Sequence, residues 1–146
     1  MTDIKRKATA SWQGDKDGGS GKMSGQSGLF RDLPFSFPSR FAQEQGTNPE
    51  ELLGAAHAAC FNMVIADVLS DQGNPPQEVN TEATVTLKEA GGGFAISAIE
   101  LVTKGTVEGL DAATFEEVAQ IAKENCPVSQ LLKPGLEKLT VKATLN

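Results

Sequence analysis

Histidine occurs once in this chain and cysteine only twice. One histidine and two cysteines far apart in sequence make a poor zinc site. Basic residues are also in short supply. Thirteen lysines and arginines face 19 aspartates and glutamates, for a net charge of -6. That balance argues against a nucleic-acid or anionic-membrane partner. The basic residues are scattered apart from Lys5-Arg6-Lys7, which reads as an exposed strand or arm. The first residues, MTDIKRKATASW, have no apolar core of the kind a secretory signal carries. The Gly18-Gly19-Ser20-Gly21-Lys22 stretch lacks the spacing of a phosphate loop, and Met23 stands where Ser or Thr is required. No dinucleotide fingerprint, serine elbow or haem-attachment motif appears.

What remains is an ordinary soluble composition in 146 residues, which predicts a single domain, 1–146, with its own core. The longest apolar run, Leu52 to Leu69, includes His57, Asn62 and Asp67 and is rich in alanine. It reads as a core helix rather than a membrane span. The expected compartment is the cytosol, where a permanent disulfide is disfavoured. Two cysteines there mean free thiols or a redox cycle.

The elements follow from periodicity and punctuation. Ile4 to Trp12 and Lys22 to Ser27 read as strands separated by a glycine-rich turn. LFRDLPFSFPSRF, with Pro34 and Pro38, reads as an aromatic loop pinned across a core or an interface. Asn48, Pro49 and Glu51 predict a helix start, and Gly73 with Pro75-Pro76 predicts its end near Asp71. The helix is apolar nearly all round, so burial on most faces is expected. Its alanine and glycine steps permit close approach of a second helix, and a dimer through this helix is expected. A hairpin follows. Alternation from Val79 to Leu87 pairs with Phe94 to Val107, and a parity change near Ala98 predicts a bulge. Asp111 caps a second helix with a Phe115, Val118, Ala119, Ala122 stripe. Cys126-Pro127 opens a short helical turn, and Leu139 to Leu145 alternates as a last strand.

The candidate chemistry is in the thiols. Cys60, inside the apolar helix, is either an inert core filler or a thiol activated by a nearby cation. His57, one turn earlier on the same face, is better read as a histidine anchored by a backbone carbonyl than as a Cys partner. Arg40, between Phe37 and Phe41, can point inward as a guanidinium that stabilises a thiolate, or lie on the surface with its stem packed. Glu50 can bind that arginine in a fork or serve as a carboxylate at the helix start. Glu50 and Cys60 are ten residues apart, about 15 Å along the axis. They can meet only if Glu50 comes from a partner's antiparallel helix. Cys126, before a proline at a helix start, faces unpaired N–H groups that lower a thiol pKa. These arguments leave open which thiol attacks first.

The runs Thr47-Asn48-Pro49-Glu50-Glu51-Leu52, Ala55-Ala56-His57-Ala58-Ala59-Cys60-Phe61 and Cys126-Pro127-Val128-Ser129 resemble the OsmC/Ohr family of osmotically inducible and organic-hydroperoxide-resistance proteins. The Ala-Ala-His-Ala-Ala-Cys run and the position of Arg40 are similar to the OsmC branch. The resemblance implies an α+β fold, antiparallel sheets around a long buried central helix, and an intertwined homodimer with sites at the interface. It implies a thiol peroxidase for organic hydroperoxides, with Cys60 peroxidatic, Cys126 resolving, Arg40 holding the thiolate and Glu50 positioning Arg40. It implies a dithiol reductant, notably a lipoylated protein, and no cofactor. An apolar pocket walled by Phe35, Phe37, Phe41 and Met63 is expected to favour alkyl over hydrogen peroxide. The competing readings are a redox sensor without turnover and a dimeric binder of apolar ligands.

Overall fold

The computed structural model describes residues 2–146. The chain forms two compact units, Met1–Pro49 and Glu50–Asn146. In the first, β1 (Ala8–Gln13), β2 (Ser20–Gly25) and β3 (Leu33–Phe35) make an antiparallel sheet in that order. The Lys5-Arg6-Lys7 triplet is an exposed arm, so β1 starts later than its alternation suggested. The β1–β2 turn is built by Asp15, whose carboxylate accepts from the N–H groups of Asp17 and Gly18 at 3.1 and 2.7 Å.

The aromatic segment contains regular structure, contrary to the loop expected of it. Pro34 sits in β3, an edge strand, where its missing N–H is tolerated. Pro38 sits in the first turn of α1 (Phe37–Phe41), where that N–H would be unpaired anyway. Ser36 and Ser39 form a reciprocal capping box that nucleates this single turn. The Ser39 hydroxyl also donates to the Thr47 carbonyl at 2.8 Å, tying α1 to the segment that leads to the next helix.

In the second unit, β4 (Glu78–Ala90), β5 (Gly93–Thr106) and β6 (Lys138–Leu145) form a sheet with β5 central. β4 is antiparallel to β5, whereas β6 runs parallel to it. A parallel return needs a crossover, which α3 (Ala112–Asn125) and α4 (Pro127–Leu132) provide. Gly91 and Gly92, both with positive φ (58° and 80°), make the two-residue hairpin turn. The register slips between Thr86 and Leu87, leaving Ser97 as the extra residue, next to the Ala98 expected from the parity change.

α2 (Pro49–Asp71) ends where sequence placed it. Gly73 has φ 80°, with Gly73 N–H donating to Ser70 O and Asn74 N–H to Leu69 O, a Schellman closure. It is not buried on most faces. Its fully covered residues are one stripe: Glu50, Gly54, His57, Phe61, Ile65 and Leu69. Gly54 lets the helix sit on β4, since a Cβ there would lie 3.3 Å from Val85 Cγ2. Asn62 donates to the Val79 carbonyl at 3.2 Å and ties the helix to the same strand. Phe61, Ile65 and Leu69 join Ile99, Leu101, Phe115, Val118, Ala119 and Ala122 in the core. Each large apolar side chain of the stripe contributes about 1.5–3 kcal/mol. The opposite stripe, Ala55, Ala56, Ala59 and Met63, stays exposed because one three-stranded sheet covers only one side of a helix.

Candidate active site

Both cysteines are free thiols. Cys60 is half-buried on α2, less covered than an apolar helix interior suggested, and Cys126 is fully buried. Cys126 occupies the corner between two helices. Its N–H donates to Ala122 O at 2.8 Å, closing α3, and its carbonyl accepts from Gln130 N–H at 2.9 Å, opening α4. Pro127 holds the residue before it out of the helical region, and Cys126 is extended (φ -63°, ψ 120°). The corner brings the side chain beside Cys60, close enough for the two thiols to influence each other's charge.

The N–H at the start of α4 is spent differently from the sequence expectation. Cys126 makes no side-chain cap hydrogen bond. It is Cys60 on which the Val128 N–H acts, lowering its pKa. Burial pushes the Cys60 thiol up, the Val128 N–H pulls it back in part, and the Cys126 side chain adds to the rise. Reaction as a thiolate therefore needs a further positive charge.

His57 is fully buried one turn before Cys60. Its anchor is not a backbone carbonyl. Nε2 lies 2.7 Å from the hydroxyl of Ser129, also fully buried, and Nδ1 has no hydrogen-bond partner. Burial pushes the His57 pKa down, so the imidazole is neutral. Ser129 and the Val128 N–H were not singled out from sequence. The signal was present, since both follow Cys126 within the first turn of a helix whose start was legible.

In the first unit, α1 presents Arg40, which is exposed, over the Phe41 ring at 5.3 Å. Arg40 also lines an apolar cavity of about 120 Å³ with Trp12, Phe35, Ser36, Phe37 and Pro49. Trp12 packs on Phe35 and Phe37 at ring separations of 5.6 and 5.8 Å, and Phe37 stacks on Phe41 at 5.9 Å. Of the expected pocket walls, Phe35 and Phe37 line this cavity and Phe41 supports it from outside. Met63 is 73% exposed on α2, and Trp12 is a wall the sequence did not indicate. Glu50 is buried in the first turn of α2.

The family model described as OsmC-like protein matches residues 42–139. The chain is 47% identical over 130 residues to Peroxiredoxin OsmC of Escherichia coli, covering 89% of this chain and 91% of that protein. It is 28% identical over 130 residues to Organic hydroperoxide resistance protein OhrB of Bacillus subtilis, covering 87% and 93%. The crystal structure of that OhrB superposes with a TM-score of 0.71 at 27% identity, over 98% of each chain. With Cys60, the 126–129 motif and nearly the whole topology inside these matches, the chain belongs to the OsmC-like protein family.

Proposed function

We propose that this protein reduces organic hydroperoxides, hydrogen peroxide less efficiently, through a Cys60 sulfenic acid and a Cys60–Cys126 disulfide. The broader statement, a cysteine-based peroxidase that detoxifies peroxides, follows from its relatives, Peroxiredoxin OsmC and the organic hydroperoxide resistance proteins. The observation that carries the specific reading is the placement of the two free thiols beside each other, with the start of α4 against Cys60.

The chemistry balances with these groups. The Cys60 thiolate attacks the distal peroxide oxygen, and the O–O bond breaks. Sulfur is oxidised to sulfenic acid, and the leaving alkoxide takes a proton to become an alcohol. The Cys126 sulfur then attacks the sulfenic sulfur, forming the disulfide and releasing water. An external dithiol reduces that bond by two successive exchanges and is itself left as a disulfide. A thiol raised by burial needs a cation, and in this reading Arg40 supplies it and steadies charge on the leaving oxygen. Glu50 positions Arg40. The cavity of Trp12, Phe35 and Phe37 beside Arg40 favours an alkyl group on the peroxide.

The reading takes the 146 residues as one cytoplasmic OsmC-like domain acting as a homodimer. The exposed Ala55, Ala56, Ala59 and Met63 stripe of α2 supports the dimer, and sedimentation velocity tests it. Among the described residues α2 alone is long and apolar enough to cross a bilayer, but one stripe of it packs within the protein core. The reductant is a dithiol, with lipoylated proteins as the class implied by family resemblance.

The test is intact-mass analysis after one equivalent of an alkyl hydroperoxide, followed by turnover with dihydrolipoamide. A loss of two mass units mapped to Cys60–Cys126, with sustained alkyl peroxide consumption exceeding that of hydrogen peroxide, is expected. No intramolecular disulfide, or equal turnover of both peroxides, contradicts the reading.

A further inference from the structure

We propose that His57 is a positioning residue for the thiol pair, clamping α4 to α2 through Ser129 so that Val128 N–H and Cys126 stay on Cys60. The geometry has two rungs. His57 meets Ser129 at 2.7 Å, while Cys60, one turn further along α2, lies beside Cys126 and the start of α4. The pairing runs in opposite senses along the two helices, so the His57–Ser129 rung sets both the distance and the rotation of α4 at the sulfurs.

α4 needs such a clamp. It is six residues long, and Ser129 is its one buried residue. Pro127 and Gln130 are exposed, and Leu131 is 77% exposed. Val128 and Leu132 pack against the core from half-buried positions, and the His57–Ser129 bond adds a directional tie to that apolar contact. A hydrogen bond is directional where apolar contact is not. The choice of histidine is also unfavourable as core filler. Nδ1 is buried without a partner, and a phenylalanine of similar shape would avoid that penalty. In one tautomer Nε2–H donates to Ser129 Oγ, and in the other the hydroxyl donates to Nε2; both hold the same rung.

The consequence for turnover rests on the peroxidase reading above, but the clamp itself does not. The experiment compares wild type with His57→Phe, His57→Gln and Ser129→Ala. In reduced protein without peroxide, the alkylation rate of Cys60 is followed against pH by site-resolved mass spectrometry. Loosening the Val128 N–H raises the apparent thiol pKa, so His57→Phe and Ser129→Ala slow alkylation near neutral pH about three- to tenfold. His57→Gln, whose amide N–H can reach Ser129, recovers most of the rate. With several equivalents of alkyl hydroperoxide, the two disrupting variants carry a larger share of Cys60 as sulfinic acid and less as disulfide.

A wild-type alkylation profile in Ser129→Ala overturns the clamp, whether or not His57→Phe folds. An altered profile that His57→Gln does not share supports it. If wild-type Cys60 fails to react with peroxide, the peroxidase reading falls, while the alkylation profiles still decide the clamp.

Discussion

The Cys60 and Cys126 thiols lie beside each other, between α2 and the corner that starts α4. In the proposed cycle, a sulfenic acid formed on Cys60 has a second sulfur beside it. Replacing Cys126 by serine preserves the shape of that corner but removes the second sulfur. Cys126→Ser should reduce one equivalent of alkyl hydroperoxide and then accumulate sulfinic acid, with sustained dithiol-driven turnover lost. Intact mass, a gain of two oxygens against a loss of two hydrogens, distinguishes the outcomes. A serine variant that turns over as wild type would remove Cys126 from the cycle.

Arg40 should matter for charge and for shape together. Its guanidinium is stacked over Phe41 and lines the apolar cavity, an arrangement that a lysine ammonium does not reproduce. Arg40→Ala is expected to lower kcat/KM for alkyl hydroperoxides by about 10²–10³-fold, comparable to loss of a preorganised electrostatic group. Arg40→Lys should recover only part of this. Stopped-flow peroxide consumption measures both, and an Arg40→Ala enzyme within a few-fold of wild type would exclude the role assigned to it.

Acid should destabilise the fold through His57. Burial holds its folded-state pKa below the ordinary 6.5, so the unfolded chain binds the proton more readily. The contribution is intact above pH 6.5 and is lost as pH falls below that value toward the folded pKa. Thermal melts should therefore show a falling Tm between pH 7 and pH 5. His57→Phe should flatten that part of the profile. An identical slope in both proteins would assign the acid sensitivity elsewhere.

Gly105 is a packing requirement with no need for unusual backbone angles. A Cβ there would lie 2.5 Å from Phe115 Cζ and 2.6 Å from Cε2, inside van der Waals contact. Gly105→Ala must displace a fully buried ring and should destabilise the protein by about 1–3 kcal/mol. Gly135→Ala, with nothing within 4 Å of the added carbon, is the matched control and should be near neutral. Urea unfolding midpoints compare the two.

Much of the architecture was legible because it rests on local chemistry. Pro49 with Glu50-Glu51 marked the start of α2, and Gly73, with the positive φ its closure requires, marked the end. Asp111 capped α3 as its position indicated, accepting from Thr114 N–H at 2.9 Å, and the four expected residues of that helix are buried. The aromatic segment was misjudged because each proline was weighed as a breaker, whereas an edge strand and a first helical turn are the two settings that tolerate one. Within one chain α2 buries a single stripe, because an apolar composition states what a helix can bury, not how much sheet is available to cover it.

By itself, the amino-acid order determined α2, α3 and α4, the hairpin and the placement of one thiol mid-helix and another ahead of a proline. Those features depend on interactions within a few residues, so neighbours in sequence suffice to define them. Only the tertiary structure decided that β6 returns parallel to β5, that the Val128 N–H serves Cys60 rather than Cys126, and that His57 reaches Ser129. Each of these joins groups dozens of residues apart, and which donor meets which acceptor is set by how α4 packs on α2.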